Sequence, residues 1–195
     1  MVRLLTIGFV LAFSVLQAGD PGEYVGINSC KMCHKSAEKG NMHGLWSETA
    51  HATALATLKS DAALKYAKER GLETPPSESG DCLVCHMTGY DQGGYEVLSA
   101  EFIADEANKR AVKKNKGLEN VTCEACHGAG KGYKSKKTMT GIFNGTIVAD
   151  SVGLIKPTEE TCRGCHNEKS PGNKEFNYEE GLAKIAHPYP EGMRP

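Results

Sequence analysis

The chain has 195 residues, of which 24% are charged and 7% are aromatic, and its formal net charge at neutral pH is −1. A charge this close to zero gives no electrostatic basis for binding nucleic acid, so we expect no nucleic-acid partner. With one tryptophan and few other aromatic residues, the chain has few large side chains for a hydrophobic core, and another source of apolar bulk is expected.

Residues 1–19 have the pattern of an export signal. Arg3 precedes a mostly apolar, uncharged run from Leu4 to Leu16, and Gln17-Ala18-Gly19 provides small residues near a cleavage point. The run is about 13 residues, shorter than the roughly 20 that span a bilayer. We therefore expect an exported protein, periplasmic or extracellular, with no transmembrane segment after signal removal and a single domain over residues 20–195. The alternative is an uncleaved anchor, because Leu16 and Gln17 make an imperfect cleavage site.

Four copies of the pentapeptide Cys-x-x-Cys-His follow, and together they contain all eight cysteines. Two thiols at this spacing reach both vinyl groups of a haem, and the following imidazole becomes the proximal iron ligand. Zinc sites, dithiol redox sites and disulfides also use paired cysteines, but none requires a histidine after each pair. We therefore predict four covalently bound c-type haems. The predicted thioether residues are Cys30, Cys33, Cys82, Cys85, Cys123, Cys126, Cys162 and Cys165, and the proximal ligands are His34, His86, His127 and His166.

The segments between these motifs predict short helices in the first half of the chain. Leu45 to Leu58 has helical spacing that places His51, Leu55 and Leu58 on one face. Ser60-Asp61 is expected to cap a second helix that Gly71 ends. Gly93-Gly94 and then Tyr95 to Leu98 predict a turn and one short strand.

The second half of the chain is also predicted to be helical and short. Ala100 to Lys114 indicates a polar surface helix, Gly141 to Val152 an irregular segment, and Asn177 the cap of a last helix through Ile185. The fold class is therefore mainly α, a small multihaem cytochrome c fold wrapped around four haems with little β structure.

Positive charge is concentrated around the third motif. One group of cationic residues precedes it and another follows: Lys109, Arg110, Lys113, Lys114 and Lys116, then Lys131, Lys134, Lys136 and Lys137. Such a basic collar suits an acidic redox partner, although a charge run of this kind can also be an ordinary solvated face.

The number of histidines limits the sixth ligands of the irons. Seven histidines, less four proximal ones, leave His43, His51 and His187. Four irons with two imidazoles each would need one more histidine than the chain has. At least one iron must therefore take another ligand, take one from a neighbouring subunit in an oligomer, or keep an open position.

Beyond the motifs, the sequence resembles the tetrahaem cytochrome c-554 family, named for an electron carrier of hydroxylamine oxidation. The resemblance runs from Cys30 to about His187. Its blocks are Cys33 through Trp46 to His51, Cys82 to Tyr95, Cys123 to Gly128, and the helix ending at His187.

The resemblance implies an assignment of the remaining axial ligands. His51 would be the distal ligand of the haem on His166, and His187 that of the haem on His127. The haem on His86 would be five-coordinate. In the family, the distal histidine of the first haem follows the third motif, where this chain has Lys136 and Lys137. Met139 and His43 are the two candidates for that position.

The expected function is that of an exported tetrahaem cytochrome that relays single electrons between redox partner proteins. One alternative is an enzyme that reduces nitric oxide or hydroxylamine at an open haem on His86. Another is a subunit of an extracellular cytochrome filament, in which a neighbouring chain supplies the missing imidazole.

Overall fold

The computed structural model describes residues 22–170 and 175–187. The predicted export signal lies outside these ranges. Among the described residues, no helix is both long enough and apolar enough to cross a membrane.

The described residues form short α-helices joined by turns, 3₁₀ segments and irregular chain, and they contain no β-strand. The prediction of a mainly α fold is therefore confirmed. The helices are α1 (Ile27–His34), α2 (Met42–Ser47), α3 (Ala54–Leu58), α4 (Asp61–Arg70), α5 (Gly80–His86), α6 (Ala100–Ala104), α7 (Lys109–Lys116), α8 (Cys123–His127), α9 (Lys136–Phe143), α10 (Glu159–Arg163) and α11 (Tyr178–Ile185).

Two of the predicted caps are present. The Ser60 side chain accepts a hydrogen bond from the Ala63 backbone N–H at 3.2 Å, and α4 ends at Gly71 in the left-handed conformation. Asn177 accepts from the Glu180 backbone N–H at 3.2 Å and begins α11. Each cap satisfies a donor that the first helical turn cannot pair internally.

The predicted strand at Tyr95 to Leu98 is wrong, since these residues are irregular. No strand lies beside this segment in the described part of the chain. Instead, Asn115 of α7 pairs with the main chain of Glu96, accepting from its N–H at 2.8 Å and donating to its C=O at 2.9 Å. A side-chain amide thus takes the hydrogen bonds that a neighbouring strand would have supplied.

The predicted helical segment from Leu45 to Leu58 is divided into α2, a 3₁₀ turn (Ala50–Thr53) and α3. The division falls at Thr49, whose backbone is extended and whose hydroxyl donates to the Trp46 carbonyl at 2.8 Å. Threonine competes with the helix in this way because its hydroxyl can bond to nearby main chain. His51 consequently lies on the 3₁₀ turn.

Two other predicted segments also differ in extent. Ala100 to Lys114 is interrupted at Asp105, which is extended and caps a 3₁₀ turn (Glu106–Asn108). The segment predicted to be irregular from Gly141 begins inside α9, which continues to Phe143.

The hydrophobic core of the described residues consists of two small clusters. One contains Tyr24, Leu118 and Ala129, and the other contains Leu58, Leu83 and Met87. Tyr95 packs against both. The core is therefore thin, and of these six residues only Leu83 lies on a motif helix.

A buried carboxylate connects the start of α1 to α8. Glu124 is 1% exposed and accepts three backbone hydrogen bonds, from Val25 at 2.9 Å, Gly26 at 2.7 Å and Gly130 at 2.6 Å. Gly26 has φ +79°, and a Cβ there would lie 3.2 Å from the Lys114 carbonyl oxygen, so the close approach of the chains favours glycine. The first and third motifs are thereby held together.

Candidate haem sites

Each Cys-x-x-Cys-His motif lies on or directly after a short helix. The first two motifs end α1 and α5, the third forms all of α8, and the fourth begins in α10 and continues into the turn after Arg163. Because i and i+3 are neighbours on a helical turn, each pair of cysteines can present its sulfurs on one side. All eight cysteines lie in the described residues, and none of them is in a disulfide.

The four motifs come together in two pairs. The thiols of Cys30 and Cys123 lie side by side, and their interaction raises the pKa of Cys30 and lowers that of Cys123. A second thiol pair, Cys85 and Cys165, raises the pKa of Cys165 and lowers that of Cys85 to about 7. Opposite shifts are expected because a donated hydrogen bond stabilises the acceptor as thiolate. The first motif therefore lies beside the third, and the second beside the fourth.

The two pairs are themselves close together. Burial raises the pKa of Cys126 to about 11, and the next contribution comes from the charge of Cys162. Cys126 belongs to the third motif and Cys162 to the fourth. The four motifs are therefore neighbours in the order first, third, fourth and second.

Two proximal imidazoles are oriented by backbone carbonyls. Nδ1 of His86 lies 3.0 Å from the Ala54 carbonyl oxygen, and Nδ1 of His127 lies 3.1 Å from that of Ile155. A hydrogen bond at Nδ1 sets the tautomer and leaves Nε2 as the free ligand nitrogen.

The other two proximal imidazoles differ. His166 stacks on Phe176, with ring centroids 4.5 Å apart and planes at 14°, and the Arg163 guanidinium carbon lies 5.8 Å from the centroid of the same Phe176 ring. Nδ1 of His34 is buried and has no hydrogen-bond partner among the described residues.

Two of the remaining histidines face proximal ones. The ring centroids of His51 and His166 are 5.9 Å apart, and so are those of His187 and His127. Two imidazoles bonded at about 2 Å to opposite sides of one metal ion have centroids about 6 Å apart. These pairs therefore have the spacing needed to hold one iron between them.

Burial keeps several of these imidazoles neutral. Desolvation is the main cause that lowers the pKa of His34, His51 and His127 below its ordinary range. A neutral imidazole is the form that binds metal, so at neutral pH these rings are in the ligating state.

His43 and Met139 are the other two candidate ligands. The ring of His43 contacts Trp46, with centroids 5.6 Å apart, and burial followed by the charge of Lys31 lowers the pKa of His43. Met139 is half-buried on α9. All seven histidines are described, and neither His34 nor His86 has a second imidazole in ring contact.

The surface around the motifs suits a large apolar group. Met32 is 74% exposed and Val84 is 51% exposed, although both lie inside Cys-x-x-Cys-His motifs. Ile155, whose carbonyl orients His127, is 50% exposed. Within the described ranges, no three His, Cys, Asp or Glu side chains gather as a metal cluster. The arrangement of thiol pairs and opposed imidazoles therefore fits haem.

Sequence reasoning missed three features of these sites: the carbonyls of Ala54 and Ile155, the ring of Phe176, and the buried Glu124. Only Glu124 had a sequence signal, because an acidic residue inside a haem motif stands next to cysteines that are expected to be buried.

Cys-x-x-Cys-His motifs on adjoining short helices, with imidazoles facing across the sites, define a multihaem c-type cytochrome. The family described as cytochrome c554 and c-prime matches residues 29–128, and the chain belongs to this family. The family match thus gives the class of the protein, a c-type cytochrome.

Two comparisons describe the extent of the similarity. Cytochrome c-554 of Nitrosomonas europaea is 30% identical over 122 residues, which make up 60% of this chain and 43% of that protein. The chain thus matches less than half the length of that relative. The structure of reduced cytochrome c554 from Nitrosomonas europaea aligns with a TM-score of 0.60 at 23% identity, over 89% of this chain and 90% of that one. This second likeness shows a shared fold.

Proposed function

We propose that the chain binds four covalent haems and relays single electrons between redox partner proteins outside the cytoplasm. The observation that carries this proposal is the contact of the motifs: Cys30 with Cys123, Cys85 with Cys165, and Cys126 near Cys162. Each bound haem supplies a one-electron couple. The polypeptide keeps the four sites adjacent, so no substrate pocket is needed.

The chain's own imidazoles complete two of the proposed sites. His51 would be the distal ligand opposite His166, and His187 the distal ligand opposite His127, as their 5.9 Å ring separations support. Axial imidazole on both sides favours low-spin iron, which changes little in geometry between oxidation states. These two sites are therefore suited to electron transfer.

A small-ligand reductase is the second candidate function, and the surroundings of His86 favour it. The His86 ring is oriented by the Ala54 carbonyl at 3.0 Å, and no second imidazole contacts it among the described residues. A proximal ligand that is firmly held, without a distal histidine, is the arrangement that admits nitric oxide or hydroxylamine.

The cationic residues support an acidic redox partner. A hydrogen bond from Lys131 is the largest cause that lowers the pKa of Glu23, and the charges of Lys114 and Lys134 add to it. Lysines of α7 and of the segment after the third motif therefore share one surface. The Ile27 N–H donates to the Gly117 carbonyl at 2.8 Å, which places the end of α7 against the first motif helix.

The number of covalently bound haems is the first test of the proposed relay. The denatured protein should carry four haem masses, show four haems as pyridine haemochrome and have no free thiol. Intact thiols or bound zinc would contradict the proposal.

Partner charge is tested by stopped-flow oxidation with acidic and basic redox proteins of matched potential. The acidic partner should react faster at low salt, and the advantage should shrink as salt rises. The double variant Lys114→Glu/Lys134→Glu should remove the rate advantage of the acidic partner. Lys68→Glu on α4 is the charge-reversal control, since Lys68 is not among the groups whose charges lower the pKa of Glu23. Equal rates with both partners would refute the acidic-partner assignment.

A further inference from the structure

We propose that the haem at the first motif, like the one at His86, would have no sixth ligand from the protein. The protein would then have two sites, rather than one, that bind a small neutral ligand such as carbon monoxide. This inference rests on the proposed four-haem function. It departs from the expectation that only the site at His86 is open.

The pairing of rings is the first observation. All seven histidines lie in the described residues, so the set of imidazoles is complete. Their only His–His ring contacts there are His51 with His166 and His127 with His187, both at 5.9 Å. These pairs use both distal imidazoles that face a proximal ring. His34 and His86 remain without one.

The packing of His43 is the second observation. Its ring lies against Trp46 at 5.6 Å, and the Trp46 indole N–H donates to the Val121 carbonyl at 2.8 Å. The Val121 N–H in turn donates to the His51 carbonyl at 3.2 Å. The aromatic partner of His43 is therefore anchored to the segment that carries His51, and the His43 ring is not in contact with that of His34.

The environment of the His34 ring is the third observation. Its Nδ1 is buried and has no hydrogen-bond partner in the described part of the chain, whereas Nδ1 of His86 and of His127 contacts a carbonyl oxygen. A carbonyl at Nδ1 makes a proximal imidazole a stronger ligand. The His34 imidazole therefore lacks that support as well as an opposing ring.

Carbon monoxide titration of the intact, reduced protein tests the inference. Ligand binding forms one coordinate bond to ferrous iron and breaks none, and dithionite supplies the electrons that reduce the protein. We expect two equivalents of carbon monoxide for every four haems, with about half of the Soret absorbance shifted. The oxidised protein should show two bis-imidazole low-spin signals by electron paramagnetic resonance. One equivalent, or three such signals, would overturn the inference.

Three variants test whether a side chain occupies the sixth position of the haem at the first motif. His43→Ala and Met139→Leu should still bind two equivalents, while His51→Ala, a matched removal of a facing imidazole, should bind three. If the unaltered protein binds one equivalent and either of the first two variants binds two, the residue removed is the sixth ligand and the inference fails. If the unaltered protein, His43→Ala and Met139→Leu each bind one equivalent, the sixth ligand comes from another residue or from a second chain, and the inference fails again. A haem count other than four would instead refute the proposed function.

Discussion

At the scale of single residues, the four proximal histidines share one motif but not one environment. Backbone carbonyls orient His86 and His127, an aromatic ring stacks on His166, and Nδ1 of His34 has no partner. Partners at Nδ1 change the basicity and orientation of an axial imidazole. Identical covalent attachment is therefore compatible with haems of different potential.

His51→Ala and His187→Ala should each convert one low-spin haem to high spin. Each substitution removes the ring that lies 5.9 Å from a proximal ring and leaves that iron with one imidazole. About a quarter of the haem should change, as seen in the high-spin absorption band and in electron paramagnetic resonance. The double variant should change about half. An unchanged spectrum in either single variant would show that its histidine is not a ligand.

Glu124→Gln should destabilise the holoprotein. The amide keeps one acceptor oxygen but puts an NH₂ against a backbone N–H in a site where Glu124 is 1% exposed. An unpaired buried donor costs about 1–3 kcal/mol, and hydrogen bonds to a charged acceptor are worth about 1.5–3 kcal/mol, so we expect a loss of about 2 kcal/mol. The denaturant midpoint at constant haem content measures it.

The exposed Glu48→Gln is the control and should change stability by less than about 0.5 kcal/mol. Equal midpoints for the two variants would mean that the Glu124 carboxylate does not hold α1 to α8.

At the scale of elements, the sequence predicted what local chemistry dictates and missed what tertiary contacts decide. The motif helices and the caps at Ser60 and Asn177 follow from local spacing and side-chain hydrogen bonds. The break at Thr49 and the irregular chain at Tyr95 do not, because each depends on a hydrogen bond that competes with regular structure. The stacking of Phe176 on His166 is equally invisible, since nothing in residue order shows how the chain between them turns.

The cap of α11 allows a test at this scale. Asn177→Ala and Ser60→Ala each remove a side-chain cap and should each cost about 1 kcal/mol. Only α11 leads directly to His187, which follows its last residue by two positions. Asn177→Ala should therefore also increase the high-spin fraction on warming, whereas Ser60→Ala should not. If both variants lose low-spin haem together, the cap acts through general stability rather than through the position of His187.

At the scale of the whole molecule, the fold has little apolar interior of its own. Nine apolar residues are buried in the described part, and three of them are alanines. Several large apolar side chains near the motifs are exposed instead, including Met32, Val84 and Ile155. Ordering the backbone costs free energy at every residue, and buried apolar area is the main term that opposes this cost. Covalent haems would cover the exposed side chains and supply the missing area.

The chain without haem should therefore be largely unfolded. A group that binds only the folded state adds its binding free energy to folding, and here it would also provide most of the core. The protein produced without haem attachment should lose most of its helical circular dichroism at 222 nm and show no cooperative thermal transition. Cys162→Ala/Cys165→Ala, which removes a single attachment site, should melt cooperatively but at a lower temperature than the four-haem protein. A haem-free chain with native helix content and a sharp melting transition would show that the two small clusters around Leu118 and Leu83 are sufficient to fold it.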